Sequence, residues 1–149
     1  MSTILICFGS ALLLFGGGFF IYKRMYLDRR NLFEDMDGVE FENYCAGFLT
    51  ALGYENVELT SISHDYGVDI FAEKEGISYA FQCKCYTAPV GIKAIQEVYS
   101  GRDYYSRMVG VVITNCEFTR PAREFAKKLN VLLWDGDEIA RLRREAGCE

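Results

Sequence analysis

Two short, unbroken apolar runs, Gly110-Val-Val-Ile-Thr114 and Val131-Leu-Leu-Trp134, constrain the fold of this chain most tightly. Each carries no polar alternation and is too short for a buried helix, so each predicts a strand covered on both faces. Between them Phe118, Ala122, Phe125, Ala126 and Leu129 recur at helical spacing, which supplies an amphipathic cover. Upstream, Phe41, Tyr44, Cys45, Phe48, Leu49 and Leu52 describe a helix ending at Gly53. Three β-rich runs follow, at 56–60, 68–72 and 79–84, with Lys74-Glu75-Gly76 as a hairpin-type turn between the last two. A helical stretch spans Gly91 to Tyr105, and Asp135 with Glu138 has the spacing of a capping box that opens a short terminal helix. The order α-β-β-β-α-β-α-β-α predicts a three-layer α/β domain with a mixed sheet.

The N-terminal segment has a different character. All 37 Asp, Glu, Lys and Arg residues lie after Tyr22, and residues 3–22 are 20 uncharged, mostly apolar positions. A helix of that length spans about 30 Å, which predicts one transmembrane helix. A cleaved signal is disfavoured because no basic segment precedes the run and no small-x-small site ends it. Lys23, Arg24, Arg29 and Arg30 then place the C-terminal flank in the cytoplasm, giving a single-pass membrane protein with its N-terminus outside. Residues 23–37 read as a juxtamembrane linker and 38–149 as one cytoplasmic domain.

From Asn31 onward 12 Lys and Arg stand against 20 Asp and Glu, a formal charge of −8, the opposite of the usual footprint of a nucleic-acid binder. A local basic stripe is still available: Arg120, Arg123, Lys127 and Lys128 share one side of a helix and are candidate phosphate contacts, although a solvated helix face explains them as well. The six cysteines show no disulfide-framework spacing, and Cys83-x-Cys85 has no matching second pair, the only histidine being His64. Buried strand thiols account for the pair better than zinc or redox chemistry.

Two polar clusters interrupt strands that should be apolar. Asp69 stands between Val68 and Ile70, and a carboxylate there is costly unless it is solvated, paired or bound to a cation. Gln82 and Lys84 share one face of the next strand, with Phe81, Cys83 and Cys85 on the other, and the Lys74–Gly76 turn brings that strand beside Asp69. An acid, an amide oxygen and backbone carbonyls form an oxygen-rich set suited to a hard cation such as Mg²⁺, with Lys84 able to orient or activate water; the set suits phosphodiester hydrolysis. A cross-strand ion pair between Asp69 and Lys84 is the competing reading, and it leaves Gln82 unexplained.

These residues carry a family resemblance. Gly38-Val-Glu-Phe-Glu42, Gly53-Tyr54, Ser63-x-Asp65-x-Gly67-Val-Asp69, Gln82-Cys-Lys84, Pro89-Val-Gly91, Gln96-Glu97, Gly101, Val111-Val-Ile-Thr-Asn115, Phe118-Thr119 and Asp135-Gly136 appear in the order of the Mrr-type catalytic domain. Residues 36–142 thus resemble that branch of the PD-(D/E)xK, restriction-endonuclease-like nucleases. The resemblance implies an αβββαβ core and a Mg²⁺- or Mn²⁺-dependent DNA endonuclease, here tied to a membrane through residues 3–22, with DNA as partner and a homodimer as an option. It implies Asp69, Gln82, Lys84 and Glu42 as catalytic residues and Asp69, Gln82 and the Cys83 carbonyl as metal ligands, with Asp65 and Gln96 in support. Glu42 has separate support, since it lies about 20° from Leu49 on a helical wheel and so borders the buried face. The alternative is a weak or inactive nuclease-fold domain that binds DNA or a protein at the membrane.

Overall fold

The computed structural model describes residues 33, 35–60 and 66–147. The chain divides into two compact units, 1–35 and 36–149, and the elements below all belong to the second. They are α1 (Gly38–Ala51), β1 (Glu55–Leu59), β2 (Ile70–Lys74), β3 (Ile77–Lys84), α2 (Ile92–Tyr104), β4 (Val109–Thr114), α3 (Arg120–Leu129), β5 (Val131–Trp134) and α4 (Gly136–Glu145). Their order is the one expected from hydrophobic period, and the sheet is mixed: strands run β1-β2-β3-β4-β5, antiparallel across the first two pairs and parallel across the last two.

Local chemistry sets the boundaries. Asp37 and Glu40 form a reciprocal capping box that starts α1, and Gly53, at φ +80°, follows its end, where the Lys74 ammonium donates to the Leu52 carbonyl. Lys74 pairs with Ile77 across a two-residue turn whose residues, Glu75 and Gly76, both have positive φ, as a tight hairpin requires. At Asp135 only half of the expected capping box forms: its carboxylate accepts from the Glu138 amide, while the Glu138 carboxylate pairs with Arg141.

Helices cover both faces of the sheet. Phe81 of β3 packs its ring against Tyr54 and Trp134, and Cys83 meets Cys45 of α1. The alternate side chain Lys84 meets Glu97 of α2, so successive β3 residues face opposite layers. On the α2 side a core of Val90, Ala94, Ile95, Val98, Val112, Phe118, Ala122, Ala126 and Val131 joins α2 and α3 to β4 and β5. Val111, Val112 and Ile113 of β4 are sealed from solvent, the two-sided burial its apolar run implied.

The membrane part of the expected fold is corrected. Residues 3–22 lie outside the described residues, as does most of the 23–37 linker. Among the described residues no helix is long and apolar enough to cross a membrane; the longest, α1, has 14 residues and a length of about 21 Å. Among the described residues the structure thus carries the mixed α/β core without a membrane-spanning helix, and it gives no support to the anchor, the membrane partner and the single-pass orientation expected from residues 3–22.

Candidate active site

The site is built where β2 and β3 part. Pairing between them begins at Ile70 and Phe81, and the Asp69 amide extends it by donating to the Phe81 carbonyl at 2.7 Å. Beyond that point β3 has no β2 partner, and the Cys83 amide would lack an acceptor on that side. The Asp69 carboxylate supplies one: its Oδ2 accepts from the Cys83 amide at 2.6 Å and from Gln82 Nε2 at 2.6 Å. Asp69 and Gln82 are 6% and 3% exposed, so these bonds offset the cost of burying a carboxylate. Thr60 holds the incoming chain, its amide donating to the Asp69 carbonyl and its hydroxyl to the Val68 carbonyl.

Gln82 is left with a demand unmet. Its Nε2 is spent on Asp69, and its Oε1 is buried without a hydrogen-bond partner. A buried acceptor in that condition is expensive, about 1–3 kcal/mol, and such an atom calls for an explanation.

Lys84 closes β3. Its carbonyl accepts from the buried Thr114 hydroxyl at 2.7 Å, and one residue further Asn115 clasps the Tyr86 backbone through both ends of its amide. The Lys84 ammonium lies 3.2 Å from Glu97 Oε2, while Glu97 Oε1 lies 3.7 Å from the exposed Lys93. Glu97 was not among the expected site residues; its neighbour Gln96 was, yet Gln96 is exposed on α2. Helical spacing held the missing signal, because Glu97 adjoins the buried Val98 and follows Ala94 by one turn.

Two glycines lock α2 against the segment leading to Asp69. A Cβ at Gly67, which sits at φ +79°, would meet the Glu97 backbone and Cβ at 2.7 Å, and one at Gly101 would meet the Tyr66 carbonyl oxygen and Val68 at 2.5 Å. Chain segments can approach so closely only where no side chain intervenes. The loop that delivers Asp69 and the helix that delivers Glu97 are thus one packed unit.

Glu42 is half-buried on α1, one turn before Cys45. The Cys83 thiol is pushed well above the ordinary thiol value, first by its hydrogen bond to Cys45, then by burial, and then by the charges of Cys45, Asp69 and Glu42. Both carboxylates therefore lie within electrostatic reach of Cys83. Asp65 lies outside the described residues. Of the basic stripe, Arg120 pairs with Glu124 and Arg123 with Asp135, whereas Lys127 and Lys128 are exposed in the last turn of α3. Cys45, Cys83, Cys85 and Cys116 are free thiols.

With this geometry in hand, comparison with known proteins is decisive for the family. The profile of the Mrr-type catalytic domain, described as a restriction endonuclease, matches residues 33–143. The chain belongs to the Mrr-type restriction endonuclease family. Among solved structures it is similar to the DNA modification-dependent restriction endonuclease AspBHI, with 21% identity and TM-score 0.62 over 84% of this chain and 35% of that one. It is also similar to the MspJI restriction endonuclease in complex with a 27-mer oligonucleotide, with 20% identity and TM-score 0.58 over 79% of this chain and 30% of that one. A third similar structure is AF1548, a protein of unknown function, with 22% identity and TM-score 0.60 over 71% of this chain and 65% of that one. At these identities the likeness is one of fold, and this chain spans about a third of the length of the two restriction enzymes. No curated protein matches.

The Mrr-type family relation is to Mg²⁺-dependent nucleases. Among the described residues no group of three or more His, Cys, Asp and Glu side chains is placed to hold a metal. The oxygen donors present are the Asp69 carboxylate, the Gln82 amide oxygen and the Cys83 main-chain carbonyl. All are hard oxygen donors, and the orphaned Gln82 Oε1 beside Asp69 fits a hard cation.

Proposed function

We propose that residues 38–149 form a divalent-metal-dependent endonuclease that hydrolyses phosphodiester bonds in DNA. The observation that carries this reading is the buried, unpartnered Gln82 Oε1 next to the Asp69 carboxylate, with the Lys84 ammonium two residues along the same strand. Family membership and the fold shared with two restriction endonucleases, one of them bound to an oligonucleotide, support DNA as substrate.

In this reading Asp69, Gln82 Oε1 and the Cys83 carbonyl hold Mg²⁺ or Mn²⁺, and Glu42 adds negative charge from α1. A cation held there would polarise a phosphoryl oxygen and lower the pKa of bound water. Lys84 keeps its ammonium at the reacting phosphate, where it orients the attacking water and offsets the charge that develops on the phosphoryl oxygens. Gln82 is neutral, so the negative charge that retains the cation comes from Asp69 and Glu42. Asp65 and Gln96 are outer contributors at most, and Lys127 and Lys128 are the stripe residues best placed to meet a phosphate backbone.

The test is plasmid cleavage by the full chain with Mg²⁺ or Mn²⁺, beside Asp69→Ala and Lys84→Ala. Nicking or linearisation that both substitutions abolish is the expected result. Cleavage indifferent to both, or DNA binding with no cleavage under either metal, defeats the reading.

A further inference from the structure

The residue that orders Lys84 is not on its own strand. A lysine ammonium ends a flexible four-carbon stem, and its orientation must be imposed from outside. Lys84 is 20% exposed at the end of β3, and the acid that faces it is Glu97 at 3.2 Å, presented by α2. Glu97 divides its two oxygens, Oε2 toward Lys84 and Oε1 toward Lys93, whose side chain is 88% exposed at 3.7 Å. The Lys93 contact is an ordinary helical i,i+4 pair in water and holds little. The Lys84 contact is the shorter one and the less exposed.

The backbone of Glu97 is also fixed to the arm that carries Asp69. Gly67, two residues before Asp69, lies so close that a Cβ there would fall 2.7 Å from the Glu97 carbonyl carbon, and Gly101, one turn on, receives the Tyr66 carbonyl oxygen in the same way. A displacement of this segment would therefore move Glu97, and with it the partner of Lys84. The two ends of the site, the carboxylate on the β2 side and the ammonium on β3, are connected both through β3 itself and through α2.

We propose that Glu97 is the positioning residue for Lys84, holding the ammonium in register with Asp69 through the Gly67 contact. The proposal rests on the nuclease reading for its consequence in turnover, while the contact itself is open to direct measurement. A carboxylate that only stabilised the fold would leave kcat alone once the protein was folded. One that aligns the ammonium lowers kcat when its charge is removed and leaves KM in place, because the substrate is bound by other groups.

The experiment uses the full chain and the variants Glu97→Gln, Glu97→Asp and Lys93→Ala. Glu97→Gln keeps the shape and an acceptor oxygen but loses the charge. Expected are a fall in kcat of about tenfold with KM within about twofold, partial recovery in Glu97→Asp, and no change in Lys93→Ala. A second readout needs no turnover: side-chain NMR of ¹³C,¹⁵N-lysine protein, with the Lys84 signal assigned by its loss in Lys84→Arg. Lys84 should be ordered in the wild type and mobile in Glu97→Gln. Undiminished kcat in Glu97→Gln beside a wild type that cleaves, or Lys84 equally ordered in Glu97→Gln, overturns the proposal and leaves the nuclease reading intact. A wild type that cleaves no DNA defeats the nuclease reading, and the NMR comparison then decides alone whether Glu97 positions Lys84.

Discussion

Gln82 donates its side-chain amide to Asp69 Oδ2 at 2.6 Å, and this bond determines where the other end of the amide points. With Nε2 committed, Oε1 is left buried without a hydrogen-bond partner. Exchanging the two ends would set an oxygen against the Asp69 carboxylate oxygen, so it is the donor end of the amide that faces Asp69.

Gln82→Glu tests that relationship. The variant loses the donor to Asp69 and places a second carboxylate beside it in a nearly sealed site, which raises the cost of ionising both. Without divalent metal its stability should fall by about 2–3 kcal/mol. Added Mg²⁺ should restore more stability to the variant than to the wild type, because the variant presents one more negative charge for a cation to offset. Thermal melts with EDTA and with Mg²⁺ check this, and an equal metal response in both proteins would exclude Gln82 from the metal shell.

Gly67→Ala should weaken the fold and the site together. Its φ of +79° is strained for any residue with a Cβ, and that Cβ would strike the Glu97 backbone, which cannot rotate aside as a side chain can. The expected loss is about 2–4 kcal/mol. Gly53→Ala serves as the comparison: it also has positive φ, at +80°, but a Cβ there meets nothing within 4 Å. Urea denaturation should show the Gly67 variant to be the less stable of the two.

What the sequence discloses and what it hides divides along the same line. The apolar run of β4 and the interrupted patterns at Asp69 and Gln82 each report burial at their own position, so the element order, the mixed sheet and the Asp69–Gln82 contact are legible in the primary structure, whereas β5, expected to be covered on both faces, leaves Leu132 47% exposed. The Glu97–Lys84 pair is a contact between a helix and a strand: helical spacing marks Glu97 as bordering the buried face, but it does not name the partner. Gln96 is singled out by the family resemblance, yet helical geometry turns it outward while its neighbour meets the lysine. Likewise Arg120 and Arg123 look free in a linear stripe, but Glu124 lies one turn away and Asp135 folds back beside Arg123. The uncharged run at 3–22 has the length of a membrane span by composition alone, and it lies outside the described residues, where the fold offers no support for it.

Tyr54 makes stability depend on alkaline pH. Burial, reinforced by the neighbouring Tyr79, raises its pKa from 10.0 to about 12, and its ring packs edge-on against Tyr79, Phe81 and Trp134. The folded state therefore keeps the phenol proton at pH values where the unfolded chain has lost it. This contribution is complete below pH 10.0 and is lost as pH rises toward about 12. Melting temperature should thus fall across that window, and less steeply in Tyr54→Phe, which has no proton to lose. Parallel slopes for the two proteins would assign the alkaline loss to other groups.

The basic residues of α3 should separate into two kinds. Arg123 donates to Asp135 at 2.8 Å and lies over the Phe118 ring, so Arg123→Ala removes a bond to the residue that caps α4 and should cost about 0.5–1 kcal/mol of stability. Lys127 and Lys128 are exposed at the C-terminal turn of the same helix, and neither is needed to hold the core. If they meet phosphates, each Lys→Ala change should weaken DNA binding uniformly across sequences and reduce the slope of log affinity against log salt by about 1. The measurement is a salt titration of DNA binding with Ca²⁺ in place of Mg²⁺, beside thermal melts of the same variants. A reduced salt slope in Arg123→Ala with unchanged slopes in both lysine variants would reverse the assignment and place the phosphate contact at the start of α3.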